Sequence, residues 1–175
     1  MFRLTAKEHT PMESDFLRPP VDPTWCEIDI NLAARYDGPV LISATPEDAL
    51  AVARLIATLG RGGSPTQVLI CDLAAGDNVM TAMADAALRQ HLGSERLILL
   101  LREVQALTPS DQTIVMKRLV DRQLRPFENT ARIIGSSSIN LFERVEQGTF
   151  DARLFYRLNA IHIIGSTQPG MTQAD

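Results

Sequence analysis

The sequence predicts an α/β protein built on an open parallel sheet with helices on both faces. Two observations carry this. Short apolar runs at residues 39–43, 67–71, 96–101, 132–135 and 161–164 alternate with stretches of helical periodicity. The run Leu97-Ile98-Leu99-Leu100-Leu101 is continuously apolar, the pattern of a central parallel strand covered on both faces.

The elements follow in order. Residues 1–28 read as an irregular arm, because they are polar and carry Pro11, Pro19, Pro20 and Pro23. A folded core spans 29–165, and 166–175 is a flexible tail. After the first strand, Thr45 suits an N-cap, Pro46 the first helical position and Asp48 the return contact of a capping box. Ala49, Val52, Ala53 and Ile56 then form a helical stripe, which Gly60, Gly62 and Gly63 end. An alanine-rich helix over 79–91 follows the second strand. Thr108-Pro109-Ser110-Asp111 repeats the cap grammar and opens a helix to about Leu124. Two shorter helices are expected at 141–148 and 151–158. The expected core is Val40, Leu41, Ile42, Val68, Ile70, Leu99, Leu100, Ile133 and Ile134.

Composition narrows the possible functions. The 175 residues suffice for one domain with a buried core. Aromatics make up only 5%, so that core must be aliphatic. A net charge of −4 gives no whole-chain support for direct DNA binding. Cys71 lies in an apolar strand and is expected to be a buried, inert thiol. Three widely spread histidines offer no zinc-ligand spacing, and no metal site is expected. The first residues lack the apolar stretch of a signal peptide, and no apolar run approaches the roughly 18 residues that span a bilayer. A cytoplasmic protein is the expectation.

Five stretches, taken in order, resemble the central domain of bacterial sigma-54-dependent transcriptional activators, a P-loop AAA+ ATPase. Gly38-Pro39-Val40-Leu41-Ile42 resembles the strand leading into the Walker A loop, and Val52-Ala53-Arg54 the helix behind it. Leu101-Arg102-Glu103-Val104 resembles the Walker B strand end, where the family has L-D-E-[IV]. Residues 132–138 (RIIGSSS) resemble the sensor I strand, R-[VI]-I-A-A-T-N. Residues 146–159 (EQGTFDARLFYRLN) resemble the family's E-G-R-F-R-E-D-L-Y-Y-R-L-N. The resemblance covers residues 29–164 and does not extend to the helical lid or a helix-turn-helix. It implies a P-loop NTPase-like (AAA+) sheet without the lid, a role in transcription regulation, and ATP with Mg²⁺ as the family cofactor.

The candidate site follows from that alignment. Walker A needs glycines whose N–H groups approach phosphate oxygens and a lysine that neutralises them. Here the matching segment, with Ser43, Ala44, Thr45, Ala49 and Leu50 as nucleotide-site candidates, has neither and is one residue shorter. Pro46 removes a donor, and Glu47 and Asp48 bring negative charge to the helix end a phosphate would use. Glu103 matches the water-orienting glutamate, but Arg102 replaces the metal-shell aspartate. Its expected partners are Glu103 or a phosphate, and Glu103 itself reads equally as a solvated carboxylate. Ser138 replaces the sensor asparagine. Asp151 stands where one arginine finger is expected, and Arg157 keeps the second, read either as a finger or as a surface salt-bridge residue. The catalytic candidates are therefore Glu103 and Arg157. No G-A-F-T-G-A sequence, the family's sigma-54 contact, occurs between residues 74 and 95. The expected role is a non-hydrolysing interaction or regulatory module that packs on another AAA+ activator subunit or regulatory protein, with residual ATP binding or NTP hydrolysis as the alternative.

Overall fold

A computed structural model describes residues 27–60, 66–93, 96–124 and 131–165. The proposed tail and nearly all of the arm, with Cys26, lie outside these residues. Helix α1 (Glu27–Arg35) leads to strand β1 (Val40–Ser43), helix α2 (Pro46–Leu59) and strand β2 (Thr66–Asp72). Helix α3 (Val79–Leu92), strand β3 (Arg96–Arg102), a short 3₁₀ turn (Val104–Ala106) and helix α4 (Pro109–Leu124) follow. Strand β4 (Arg132–Ser137), helices α5 (Leu141–Glu146) and α6 (Ala152–Leu158), and strand β5 (His162–Ile164) complete the order.

The strands form one five-stranded sheet in the order β2-β3-β4-β1-β5, every described pair parallel. Successive side chains of a strand point to opposite faces. Leu97, Leu99, Leu101, Ile133 and Leu41 accordingly join one core with α3, α4, α5 and α6. Ile98, Leu100, Ile134, Val40 and Ile42 join a second core with α1 and α2. The expected three-layer arrangement is present, and both cores are chiefly aliphatic.

Three local expectations need correction. Helix α1 was not foreseen, and it begins at Glu27, inside the stretch read as arm. It buries Ile30, Ala33 and Ala34 at i, i+3, i+4 spacing, with Ile30 and Ala33 in the second core. Ile70, expected in the core, is 40% exposed because β2 is an edge strand. The helix expected over 141–148 stops at Glu146, where Gly148 adopts φ 69° and the N–H groups of Thr149 and Phe150 turn back to the Arg144 carbonyl. Cys71 is fully buried, and its thiol pKa is pushed up to about 11, first by burial and then by Asp77, Asp72 and Asp111. Among the described residues no helix is long and apolar enough to cross a membrane.

Candidate functional site

In a parallel sheet the strands share one carboxyl end, and ligands of open α/β folds gather there. Ser43 ending β1, Arg102 ending β3 with Glu103 after it, and Ser137 ending β4 with Ser138 after it all lie at that end. The topology therefore brings together most of the residues singled out from sequence.

The β1–α2 connection has just two residues, Ala44 and Thr45. The Ala44 N–H donates to the Ser137 carbonyl at 3.0 Å, and Ala44 is buried. Thr45 is the N-cap: its Oγ1 accepts from the Asp48 N–H at 3.2 Å and donates to Asp48 Oδ2 at 2.8 Å. Pro46 has no N–H, and the Ala49 N–H bonds to the Thr45 carbonyl. Ala49 is buried against the second core, and Leu50 packs beside it. Ser43 Oγ sits 2.8 Å from His162 Nε2, across the β1–β5 pair. Burial holds the His162 imidazole below its usual pKa, with Asp29 opposing slightly.

Arg102 pairs with carboxylates other than Glu103. Its guanidinium lies 3.1 Å from Asp72 Oδ2 on β2 and 3.8 Å from Glu47 Oε1 on α2. This cation links the neighbouring strand β2 with helix α2. Glu103 is not a solvated carboxylate: it is 6% exposed. Its backbone is left-handed, φ 58° and ψ 54°, which is uncommon outside glycine and turns the chain from the strand into the 3₁₀ turn. Its Oε2 accepts from Ser138 Oγ at 2.7 Å and from the Gln105 amide, while Oε1 has no hydrogen-bond partner. Glu103 and Ser138 are thus brought together as a pair.

Arg157 is elsewhere. It lines an open cavity of about 460 Å³ with Tyr36, Asp37, Arg122, Gln123 and Tyr156. Gly38 and Pro39, just ahead of β1, also line it, so it lies at the amino end of the sheet. Arg157 donates to the neutral Gln123 side chain rather than to a carboxylate. Arg122 pairs with Asp37 at 2.9 Å. Asp151, in place of the other finger, caps α6 by accepting from the Arg153 and Leu154 N–H groups. The Arg153 guanidinium beside it holds its carboxyl below the usual range.

Sequence reasoning missed Asp72 as the partner of Arg102 and His162 as the partner of Ser43. Neither pair has a local sequence signal, since both depend on strand order. Among the described residues no group of three or more His, Cys, Asp or Glu side chains is placed to hold a metal ion. As arranged, the groups at the carboxyl end do not fit a magnesium-bound triphosphate: the N–H groups of Ala44, Asp48 and Ala49 are already bonded, and Arg102 stands among the carboxylates.

The all-parallel sheet and its strand order define a domain of the P-loop NTPase class, in its AAA+ form. A family model described as the sigma-54 interaction domain matches residues 30–164, and the chain belongs to that family. Similar solved structures include NtrX from Brucella abortus in complex with ATP, 23% identical, with a TM-score of 0.59 over 78% of this chain and 35% of that one. The ADP complex of the same protein is 21% identical, with a TM-score of 0.60 over 77% and 34%. The P-loop NTPase domain of a sigma-54 transport activator from E. coli is 17% identical, with a TM-score of 0.51 over 78% and 89%. At these identities the likeness is one of fold. The chain spans about a third of the NtrX chains it matches. No curated protein matches it.

Proposed function

We propose that this sigma-54-activator-type AAA+ domain is a non-hydrolysing interaction or regulatory module in sigma-54-dependent transcription. The observation that carries the reading is the two-residue β1–α2 connection, closed by the Thr45–Asp48 cap and faced by Glu47. A helix N-terminus favours an anion, and here the domain's own carboxylates take that place. Ser43, Ala44, Thr45, Ala49 and Leu50 then serve structure, and Glu103 and Ser138 lock the β3 and β4 ends together.

Titration calorimetry with ATP·Mg²⁺ and with ADP tests this. No binding heat is expected. A micromolar dissociation constant, about −8 kcal/mol, would favour the rival reading of a residual nucleotide-binding or NTP-hydrolysing domain. That rival draws on the Glu103–Ser138 pair and on the ATP and ADP named for the NtrX structures.

The partner in this proposal is an intact AAA+ activator subunit or a regulatory protein, met through the face that carries Arg157. Between β2 and β3 the described chain forms a turn and α3, and the segment holds no G-A-F-T-G-A sequence. The domain alone, with ATP, is therefore expected not to open a sigma-54 promoter complex. Mixing it with an activator from the same cell should alter that activator's ATPase rate or oligomer size, and Arg157→Ala should abolish the effect. If wild type and variant both leave the activator unchanged, Arg157 has no role between subunits.

A further inference from the structure

Helix α3 carries a row of apolar side chains on the side turned to solvent, with exposed Thr81 and His91 beside it. Val79, Ala86 and Gln90 are buried. On the opposite side Met80, Leu88 and Leu92 are 53%, 57% and 77% exposed, with exposed Ala84 completing the row. Residues four apart are neighbours on a helix, so these four make one continuous ridge. Scattered exposed apolar side chains are ordinary, whereas a contiguous strip of them marks a contact surface. The ion pair Asp85–Arg89, 3.0 Å apart, runs along one flank of the ridge.

We propose that this ridge docks a second copy of the same chain, α3 against α3, antiparallel about a two-fold axis near Ala86. The arrangement of side chains selects that occupant. An antiparallel register centred on Ala86 sets Met80 against the other copy's Leu92 and Ala84 against its Leu88, so that each leucine at the centre meets a small residue. The two-fold axis keeps equal flanks together, so Asp85 lies beside the other copy's Arg89, and Arg89 beside its Asp85. The charged pair is centred one residue further along than the apolar row, an offset of about 1.5 Å. The same short helix thus complements itself in shape and in charge, as a two-fold interface requires. One helix pair is a small contact by the standard of stable interfaces, so a micromolar rather than nanomolar dimer is expected. This inference is independent of whether the domain binds nucleotide.

Sedimentation equilibrium of the full chain, from low micromolar to several hundred micromolar, tests it. Wild type should pass reversibly from monomer to dimer. Leu88→Glu places a charge at the centre of the contact and should weaken the dimer at least about tenfold, with circular dichroism and melting unchanged because Leu88 is exposed in the monomer. Asp85→Arg alone and Arg89→Asp alone should each dimerise poorly. An equal mixture of the two should regain dimer mass as a heterodimer, because every cross-pair is again opposite in sign. This mixing experiment stands even if Leu88→Glu fails to fold. A wild type that stays monomeric, its ridge left to residues 1–26 or to a different protein, overturns the proposal. So does a dimer indifferent to Leu88→Glu, or a mixture that associates no better than its components.

Discussion

The two ends of the sheet differ in what their polar groups bond to. At the carboxyl end each singled-out group meets another part of the same domain: Thr45 meets Asp48, Arg102 meets Asp72 and Glu47, Glu103 meets Ser138, and Ser43 meets His162. At the amino end, among the described residues, Arg157 meets a neutral amide and lines an open cavity with two tyrosines. The difference teaches that likeness to a family's sequence and readiness for its chemistry can sit at opposite ends of one fold. The carboxyl end has the family's position and has turned inward. The amino end carries Arg157 and faces outward.

Substitutions can break or sharpen this contrast. The largest effect should come from the strand that supports both ends. Leu100 is fully buried at the middle of β3, and Leu100→Ala should cost on the order of 2–5 kcal/mol in chemical denaturation. Next comes Ser138→Ala, which takes a hydroxyl donor from the buried Glu103. A loss of about 1–3 kcal/mol is expected. An unchanged midpoint would mean that the carboxyl end is not closed by this pair. Asp48→Ala removes the carboxylate that accepts from Thr45 Oγ1 and faces the helix N-terminus, and should cost about 1 kcal/mol or less. If neutralising Asp48 stabilises the domain instead, the account of the β1–α2 connection is wrong.

The amino end supplies the opposite expectation. Arg157→Ala should move stability by no more than about 0.5 kcal/mol, since its contact is with a neutral, exposed amide. A larger loss would make Arg157 a structural residue and erase the contrast. The last test uses pH. Burial lowers the His162 pKa in the folded state, so below the usual 6.5 the unfolded chain binds the proton more readily. Stability should be fully present above that value and fall as pH drops through the lowered folded pKa. His162→Gln should flatten the melting-temperature profile over that interval.

The fold was legible wherever local chemistry dictates it. The apolar run of β3 needs burial on both faces, and the Thr45-Pro46 and Thr108-Pro109 pairs announce helix starts at the positions observed. Helix α1 was not legible, because Ile28 and Leu32 add apolar residues on its exposed side and blur the stripe of Ile30, Ala33 and Ala34. Ile70 was misplaced because a strand's own residues do not say whether it ends at the edge of a sheet. The same limit hid the site's contacts. Arg102 meets side chains 30 and 55 positions earlier in the chain, Asp72 and Glu47. Glu103 looked solvated because nothing in its neighbours announces the left-handed turn that carries it inward.

The two-residue link between β1 and α2 also bears on how the domain could be re-engineered. A new lysine would give one positive charge but no backbone curve to hold a phosphate, because Ala44 is tied to Ser137 and Thr45 already caps the helix. Restoring a phosphate loop calls for an inserted residue, glycines that tolerate positive φ, and release of Arg102 from Asp72, all together. Any one of these alone disturbs contacts that the domain already makes. On the proposed reading, a phosphate site here calls for these changes together rather than one at a time.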